Sequence, residues 1–242
     1  MIDNNEIKNE LIEGRNAVIE ALRAGRAIDK IFIARGDVDK TLGHIASKAR
    51  EKGIVVVESD RRKLDFMSQT KAHQGVIAVC AVRDYCSIED ILALAAERGE
   101  PPFVIVCDEI SDPHNLGAII RTAAATGFCD VYIAEGADAY SPKAIRSSMS
   151  GIFRVNVFTG KREELAEYIP VPAFVADMGG EDPFSVRREG NVCLIVGNEA
   201  HGVSEFMKNR ADRTLGLDMQ NGMESLNAAV AAGVLMYTLT KK

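Results

Sequence analysis

Apolar positions change their spacing repeatedly along the first third of the chain. Asn16–Ala24 reads as a short amphipathic helix stopped by Gly25, a residue suited to the position just past a helix end. Lys30–Ala34 has the composition of a strand. Thr41–Lys52 puts Leu42, Ile45, Ala46 and Ala49 on one face and stops at Gly53. Ile54–Val57 and Val76–Val82 are β-branched runs that predict two further strands. These elements form a compact α/β domain over residues 1–82. The pattern then breaks. Ser87 with Asp90 resembles a capping pair opening a helix through Glu97, and Gly99-Glu100-Pro101-Pro102 interrupts regular structure, so residues 83–102 read as a linker. From Phe103 onwards the strands are more apolar: Phe103–Cys107, Asp130–Ala134, Arg154–Phe158, Ala173–Ala176, Val192–Val196 and Thr214–Leu217, with helical patterns between them and Ser225–Thr240 closing the chain. Near-continuous apolar strands separated by helices predict a parallel sheet covered on both faces, a second α/β domain over residues 103–242.

Composition narrows the class. Of 242 residues, 47% are hydrophobic and 26% charged, ordinary for a globular protein. No run approaches the roughly 18 apolar residues of a membrane helix, so no membrane partner is expected. The polar, acidic Met1–Glu10 resembles neither a secretory signal nor an Arg-rich transit peptide, and a cytoplasmic location is the expectation. The five cysteines have no Cys-x-x-Cys spacing and the four histidines are scattered, so no zinc set can be assembled, and no metal is expected. The net charge of −6 is unevenly spread: residues 1–82 carry 14 Lys/Arg against 12 Asp/Glu, and residues 83–242 carry 15 against 23. That asymmetry suggests different partners for the two halves. Arg61-Arg62-Lys63 and Lys48–Lys52 are the candidate nucleic-acid-facing clusters in the first, each equally readable as a solvated helix face.

Three apolar strands end in segments too specific for plain connections, and in an open α/β sheet ligands bind outside such carboxyl ends. After Phe103–Cys107 comes Asp108 to Gly117, in which Asn115 suits a helix cap, Gly117 permits close approach of a ligand, and Arg121 lies one turn further on the same face. Arg121 is the odd residue among Ile119, Ile120, Ala123, Ala124 and Ala125, readable also as a buried ion pair. After Val192–Val196 comes Gly197-Asn198-Glu199-Ala200-His201-Gly202, where a tight turn explains the glycines but not Glu199. His201 reads as a solvent-facing loop residue. After Thr214–Leu217 comes a loop to Ser225-Leu226-Asn227, where Ser225 is the candidate cap and Asn227 has no capping role.

Together these segments resemble the SpoU (TrmH) branch of the SPOUT RNA methyltransferases. The pattern D-P-x-N-x-G-x-x-x-R is met at Asp112, Pro113, Asn115, Gly117 and Arg121; G-x-E-x-x-G at Gly197, Glu199 and Gly202; and S-L-N at Ser225, Leu226 and Asn227. Glu13 to Leu22 and His73-Gln74-Gly75-Val76 are similar to segments of the family's small RNA-binding domain, which has the ribosomal protein L30e fold. The resemblance implies an L30e-like N-terminal domain and a SPOUT domain with a parallel sheet and a C-terminal trefoil knot. It implies a homodimer that uses S-adenosylmethionine to methylate a ribose 2′-hydroxyl of structured RNA. The bacterial enzymes acting on guanosine in 23S rRNA are the nearest subgroup, and tRNA is the alternative substrate. Arg121, Asn115, Glu199, Ser225 and Asn227 fall on the family's catalytic positions. Backbone groups at Gly197, Leu217 and Leu226, with Gly202 and Met219, fall on those that hold the methyl donor. Two residues depart from the family pattern, Asp218 where proline is usual and Asn221 where glycine is frequent.

In the family the arginine is often assigned as general base, yet a guanidinium stays protonated in almost any protein setting. Clamping an RNA phosphate is the other role for Arg121, with Glu199 as proton acceptor if burial raises its pKa. A Rossmann enzyme and a P-loop NTPase are excluded because neither Gly-x-Gly-x-x-Gly nor Gly-Lys-Ser/Thr occurs. A non-catalytic RNA-binding protein is the rival from another class.

Overall fold

The computed structural model of the chain describes residues 9–36, 39–81, 85–86, 90, 93–94, 97, 103–169, 172–186, 190 and 192–240. The expected linker and the helix from Ser87 fall largely outside the described residues. The chain divides into two compact units, Met1–Asp84 and Tyr85–Lys242.

The first unit runs β1 (Asn9–Glu13), α1 (Arg15–Arg23), β2 (Ile28–Ala34), α2 (Lys40–Glu51), β3 (Val55–Ser59), α3 (Arg61–Met67) and β4 (Val76–Ala81). Its sheet has the order β1-β4-β2-β3, antiparallel except for the β2–β3 pair. Two of these elements carry no readable apolar period. In α3 only Leu64 is buried among charged neighbours. In β1 the buried positions include Glu13, which is 5% exposed. A carboxylate can occupy that place because donors converge on it: Ser68 Oγ and Gln69 N at 2.6 Å each, with the Thr70 hydroxyl and amide beside them. Burial pushes the Glu13 carboxyl up, but these donors outweigh it and hold it below its ordinary value. Such a group stabilises fully above its unfolded pKa, and the contribution is lost as pH falls through the lower folded value. Glu13→Ala is therefore expected to cost roughly 1–3 kcal/mol at neutral pH. The gap to the native chain should close on acidification, as read by urea unfolding from pH 7 to pH 3.

The second unit contains β5 (Phe103–Asp108), α4 (Pro113–Thr126), β6 (Asp130–Ala134), α5 (Pro142–Ser147), β7 (Asn156–Gly160), α6 (Arg162–Ala166), β8 (Ala173–Glu181), β9 (Val192–Gly197), α7 (Glu205–Lys208), β10 (Arg213–Leu215) and α8 (Ala228–Thr240). Six parallel strands form one sheet in the order β10-β8-β9-β5-β6-β7. Successive side chains of a strand point to opposite faces. Ile105 and Cys107 accordingly join Leu116, Ile120, Leu235 and Met236 on the face covered by α4 and α8. Val104 and Val106 join Phe158, Leu165 and Met207 on the other. Both faces of the central strands are covered, which is why β5, β6 and β9 read as near-continuous apolar runs.

Strand ends differ from expectation where the chain turns. Gly151–Phe153 is a 3-10 turn that ends at Arg154, so β7 starts at Asn156. β10 stops at Leu215 and leaves Leu217 in the following loop.

Both helix starts at the site also differ. Asp112, not Asn115, caps α4: its carboxylate accepts from the His114 amide at 2.9 Å, and Pro113, with φ already fixed, takes the first helical position. Asn227, not Ser225, caps α8, its Oδ1 accepting from the amides of Ala229 at 3.0 Å and Val230 at 3.3 Å.

Candidate active site

The order of strands locates a crevice. From β5 the chain moves outwards through β6 and β7, whereas β9 has β8 and β10 on its other side, so the direction of winding reverses between β5 and β9. Loops leaving neighbouring strands on the two sides of such a reversal part and leave room for a ligand. Register brings the two ends level, Asp108 of β5 opposite Gly197 of β9.

Across this crevice the three motifs join through one chain of hydrogen bonds. Asn115 Nδ2 donates to Glu199 Oε1 at 2.7 Å, and Asn227 Nδ2 donates to Asn115 Oδ1 at 2.9 Å. The Ser111 hydroxyl and amide donate to Glu199 Oε2 at 3.2 and 3.4 Å. The direction of the chain is fixed at its far end. Asn227 Oδ1 is occupied by the helix amides, so its Nδ2 must face Asn115, whose own Nδ2 must then face an acceptor. Since α4 begins at Pro113, Asn115 lies inside the first turn with its amide free to reach across. A capping Asn115 could not do this.

The electrostatics of Glu199 run against the expected proton acceptor. Burial raises its pKa, but the bonds from Asn115 and Ser111 prevail and hold the carboxyl below its ordinary value. A carboxylate stabilised in its charged form is a weaker base, and here it orients Asn115.

Asn227 has two tasks that substitutions can separate. Asn227→Ala should lose about 1 kcal/mol of stability with the cap. Asn227→Asp keeps an acceptor for the helix amides but has no donor for Asn115. Thermal midpoints should therefore fall for the alanine variant only, while both variants lose activity.

Next to this chain a cavity of about 570 Å³ opens at the carboxyl ends of β8, β9 and β10, with α8 as its far wall. Gly197, Gly202, Leu217, Met219 and Leu226 all line it, as do Glu199, Ser225 and Asn227. Its shape depends on Gly197. A Cβ there would lie 2.2 Å from Gly202 C and Val203 N, because the segment folds back on itself through Asn198 N to Gly202 O at 3.0 Å and Gly202 N to Asn198 O at 2.9 Å. Asn221, where the family often has glycine, has φ 58°, a left-handed conformation that asparagine tolerates better than most residues.

Asn115 and Arg121 are absent from the cavity lining. Arg121 is exposed and, among the described residues, has no hydrogen-bond or ion-pair partner, so a buried ion pair is overturned. Gly117 does not open the helix to a ligand. It is buried against α5, where a Cβ would meet Ala144 O at 2.5 Å and Ser147 Cβ at 2.6 Å. Helix packing, rather than ligand approach, requires that glycine. The next turn of α4 meets Gly151 at the Arg121 Cα, which leaves the guanidinium clear of the core.

A group of charges at the strand ends was not visible in the sequence. Asp108, 1% exposed, accepts from Arg162 Nε at 2.9 Å and from the Ser204 amide at 2.8 Å. Arg162 also meets Glu109 at 2.5 Å and Glu135 at 3.5 Å. Asn198 Nδ2 donates to the Glu109 carbonyl at 2.8 Å. Asp108 thus ties the loops after β5, β7 and β9 together beneath the crevice. Arg162 lies 54 residues from Asp108 in the chain, so no local pattern announces the pair.

Comparison with known proteins agrees with this geometry. Residues 102–237 match the SpoU rRNA Methylase family, and residues 11–86 match the RNA 2′-O ribose methyltransferase substrate binding family. The TrmH family tRNA/rRNA methyltransferase YacO of Bacillus subtilis (strain 168) is 34% identical over 97% of this chain and 96% of its own length. Among solved structures, the SpoU methyltransferase AviRb from Streptomyces viridochromogenes in complex with AdoMet superposes with a TM-score of 0.83 at 22% identity, covering 96% of this chain and 89% of that one. An AdoMet-bound rRNA methyltransferase from Sinorhizobium meliloti gives 0.80 at 24% identity, covering 97% and 87%. With two motif-bearing loops joined across the crevice, a third closing them through Asn227, and matches spanning both units, the chain belongs to the SpoU/TrmH-type SPOUT family of RNA methyltransferases.

Proposed function

We propose that this protein transfers a methyl group from S-adenosylmethionine to a ribose 2′-hydroxyl of structured RNA, a guanosine of 23S rRNA being the first choice of substrate and tRNA the second. The observation that carries the reading is the cavity. It lies within the range of about 300–1,000 Å³ usual for small-molecule sites, and all five residues at the family's donor-binding positions line it. Apolar walls from Leu215, Leu217 and Leu235 beside exposed loop backbone suit a nucleoside held largely by main-chain groups. The bound donor would supply an electrophilic methyl on a sulfonium. The AdoMet-bound relatives support the same choice.

The chain's own part is to hold and orient. Backbone at Gly197, Leu217 and Leu226 holds the donor, with Gly202 and Met219 in the walls. Glu199 fixes Asn115, and Asn227 fixes the mouth of the cavity beside Ser225. Arg121, a permanent cation clear of the core, clamps an RNA phosphate and brings the ribose to the donor. We assign it no proton transfer.

A homodimer belongs to this reading. α8 carries no charged residue, and outside its buried face Val230 and Tyr237, seven residues apart and so on one side, are more than half exposed. A trefoil knot and an L30e-like first domain also belong to it. On this reading the enzyme works in the cytoplasm. Calorimetry with S-adenosylmethionine, followed by labelled methyl transfer to purified rRNA and tRNA, tests it. Donor binding with transfer to rRNA is the expected result, and an absence of donor binding overturns it.

A further inference from the structure

Phe66 is 89% exposed, the most exposed large apolar side chain among the described residues. It lies on α3, which is anchored by Leu64 packed with Phe32, Ile77 and Val79. Two residues further, at about 100° per residue, Phe66 faces away from that anchor. Arg62 and Lys63, four and three residues earlier, share its side of the helix. Lys63 Nζ sits 5.0 Å from the Phe32 ring centroid. Arg62 is exposed and its side chain has no ion-pair partner among the described residues.

The nearby acids are already engaged. Asp60 caps α3 through the Arg62 amide at 2.8 Å, and Asp65 is bonded by His73 Nε2 at 2.9 Å. What faces outwards is an aromatic ring with the exposed Arg62 on its side of the helix and the Lys63 ammonium one turn back, over Phe32. Nothing in the folding of the unit calls for that ring, because Phe66 buries almost none of its surface and phenylalanine is a mediocre helix former.

An exposed ring on the same helix side as a free guanidinium, with an ammonium close by, matches an unpaired nucleobase with its flanking phosphates. The base stacks on the ring while the cations meet the backbone. A protein partner would be favoured by a broader apolar patch, and the neighbours of Phe66 in sequence, Asp65 and the half-buried Met67, do not extend one. We propose that Phe66, with Arg62 and Lys63, forms a stacking site on the first unit for an unpaired base of the substrate RNA. The proposal rests on the reading of RNA as substrate and adds where, and through which chemistry, the first unit grips it.

The test uses the full chain and a single-stranded RNA oligonucleotide carrying one 2-aminopurine, beside a fully paired duplex of the same length. Phe66→Ala should weaken binding of the single strand about tenfold and abolish the fluorescence change caused by stacking. Phe66→Trp should keep both, and affinity for the duplex should not change. Arg62→Gln should reduce the slope of binding against salt by about one ion. The circular dichroism spectrum and the thermal midpoint should be the same in all variants, which excludes misfolding of the first unit. Equal binding and fluorescence in Phe66→Ala overturns the proposal. So does a loss of self-association in that variant, seen by sedimentation without RNA, since Phe66 would then belong to a protein contact. Methyl transfer by the native chain is measured separately, so failure of that activity and failure of this contact give different results.

Discussion

Arg121→Ala should retain S-adenosylmethionine binding while losing methyl transfer to RNA by at least about a hundredfold, the size of effect that misplacing a reacting group produces. The two readouts separate because Arg121 lies outside the cavity that would hold the donor and makes no bond that the fold depends on. Stability should be unchanged or slightly higher, since alanine is the better helix former and the contact with Gly151 is made by the Arg121 backbone. Arg121→Lys should recover little. A lysine keeps the charge but presents a point ammonium where a fork of donors can hold two phosphate oxygens. Single-turnover transfer at saturating RNA, set beside calorimetry of the donor, provides the measurement. Undiminished transfer by the alanine variant removes Arg121 from the mechanism.

The second large effect is expected at Gly197. A single methyl group there meets main-chain atoms at 2.2 Å, and main chain cannot swing aside as a flexible side chain can. The turn from Asn198 to Gly202 must open, and with it the placement of Glu199 between Ser111 and Asn115. Overpacking of this kind costs roughly 1–3 kcal/mol. Opening the turn passes that cost to the site, so donor affinity should fall by roughly tenfold to a hundredfold. Gly197→Ala is thus expected to damage donor binding, where Arg121→Ala is expected to damage use of the RNA. Calorimetry of the two variants should show opposite patterns, and full donor affinity in Gly197→Ala would show that the cavity does not hold the donor.

Much of the second unit was legible because its chemistry is local. The central strands β5, β6 and β9 are near-continuous apolar runs, and Gly127, at φ 88°, stops α4 as a glycine past a helix end does. The first unit is less legible. α3 and β1 escaped because one has a single buried residue and the other buries a glutamate. At the site, the three motifs contain Asn115, Glu199 and Asn227, which the structure joins across the crevice, but the local roles of the two asparagines are exchanged. By sequence Asn115 suits a cap and Asn227 has no capping role, whereas in the structure Asn227 is the cap and Asn115 spans the crevice. Composition near a helix start cannot tell these apart, because an asparagine fits either place and the choice is made by a residue 112 positions away. The sign of the Glu199 shift was hidden for the same reason. It depends on donors from Ser111 and Asn115, 88 and 84 residues earlier.

Those separations also bear on time. Contacts between distant parts of a chain form late, because a long loop must close before they give any return. Glu199 cannot be oriented before Asn115 is in place, and the direction of the Asn115 amide is set only when Asn227 has capped α8. During synthesis the strands from β5 to β9 emerge before the residue that completes the site. If the site works as proposed, the competence to modify RNA is acquired at the end of folding, and partly made chains, however much of their sheet they have assembled, should be inert towards it.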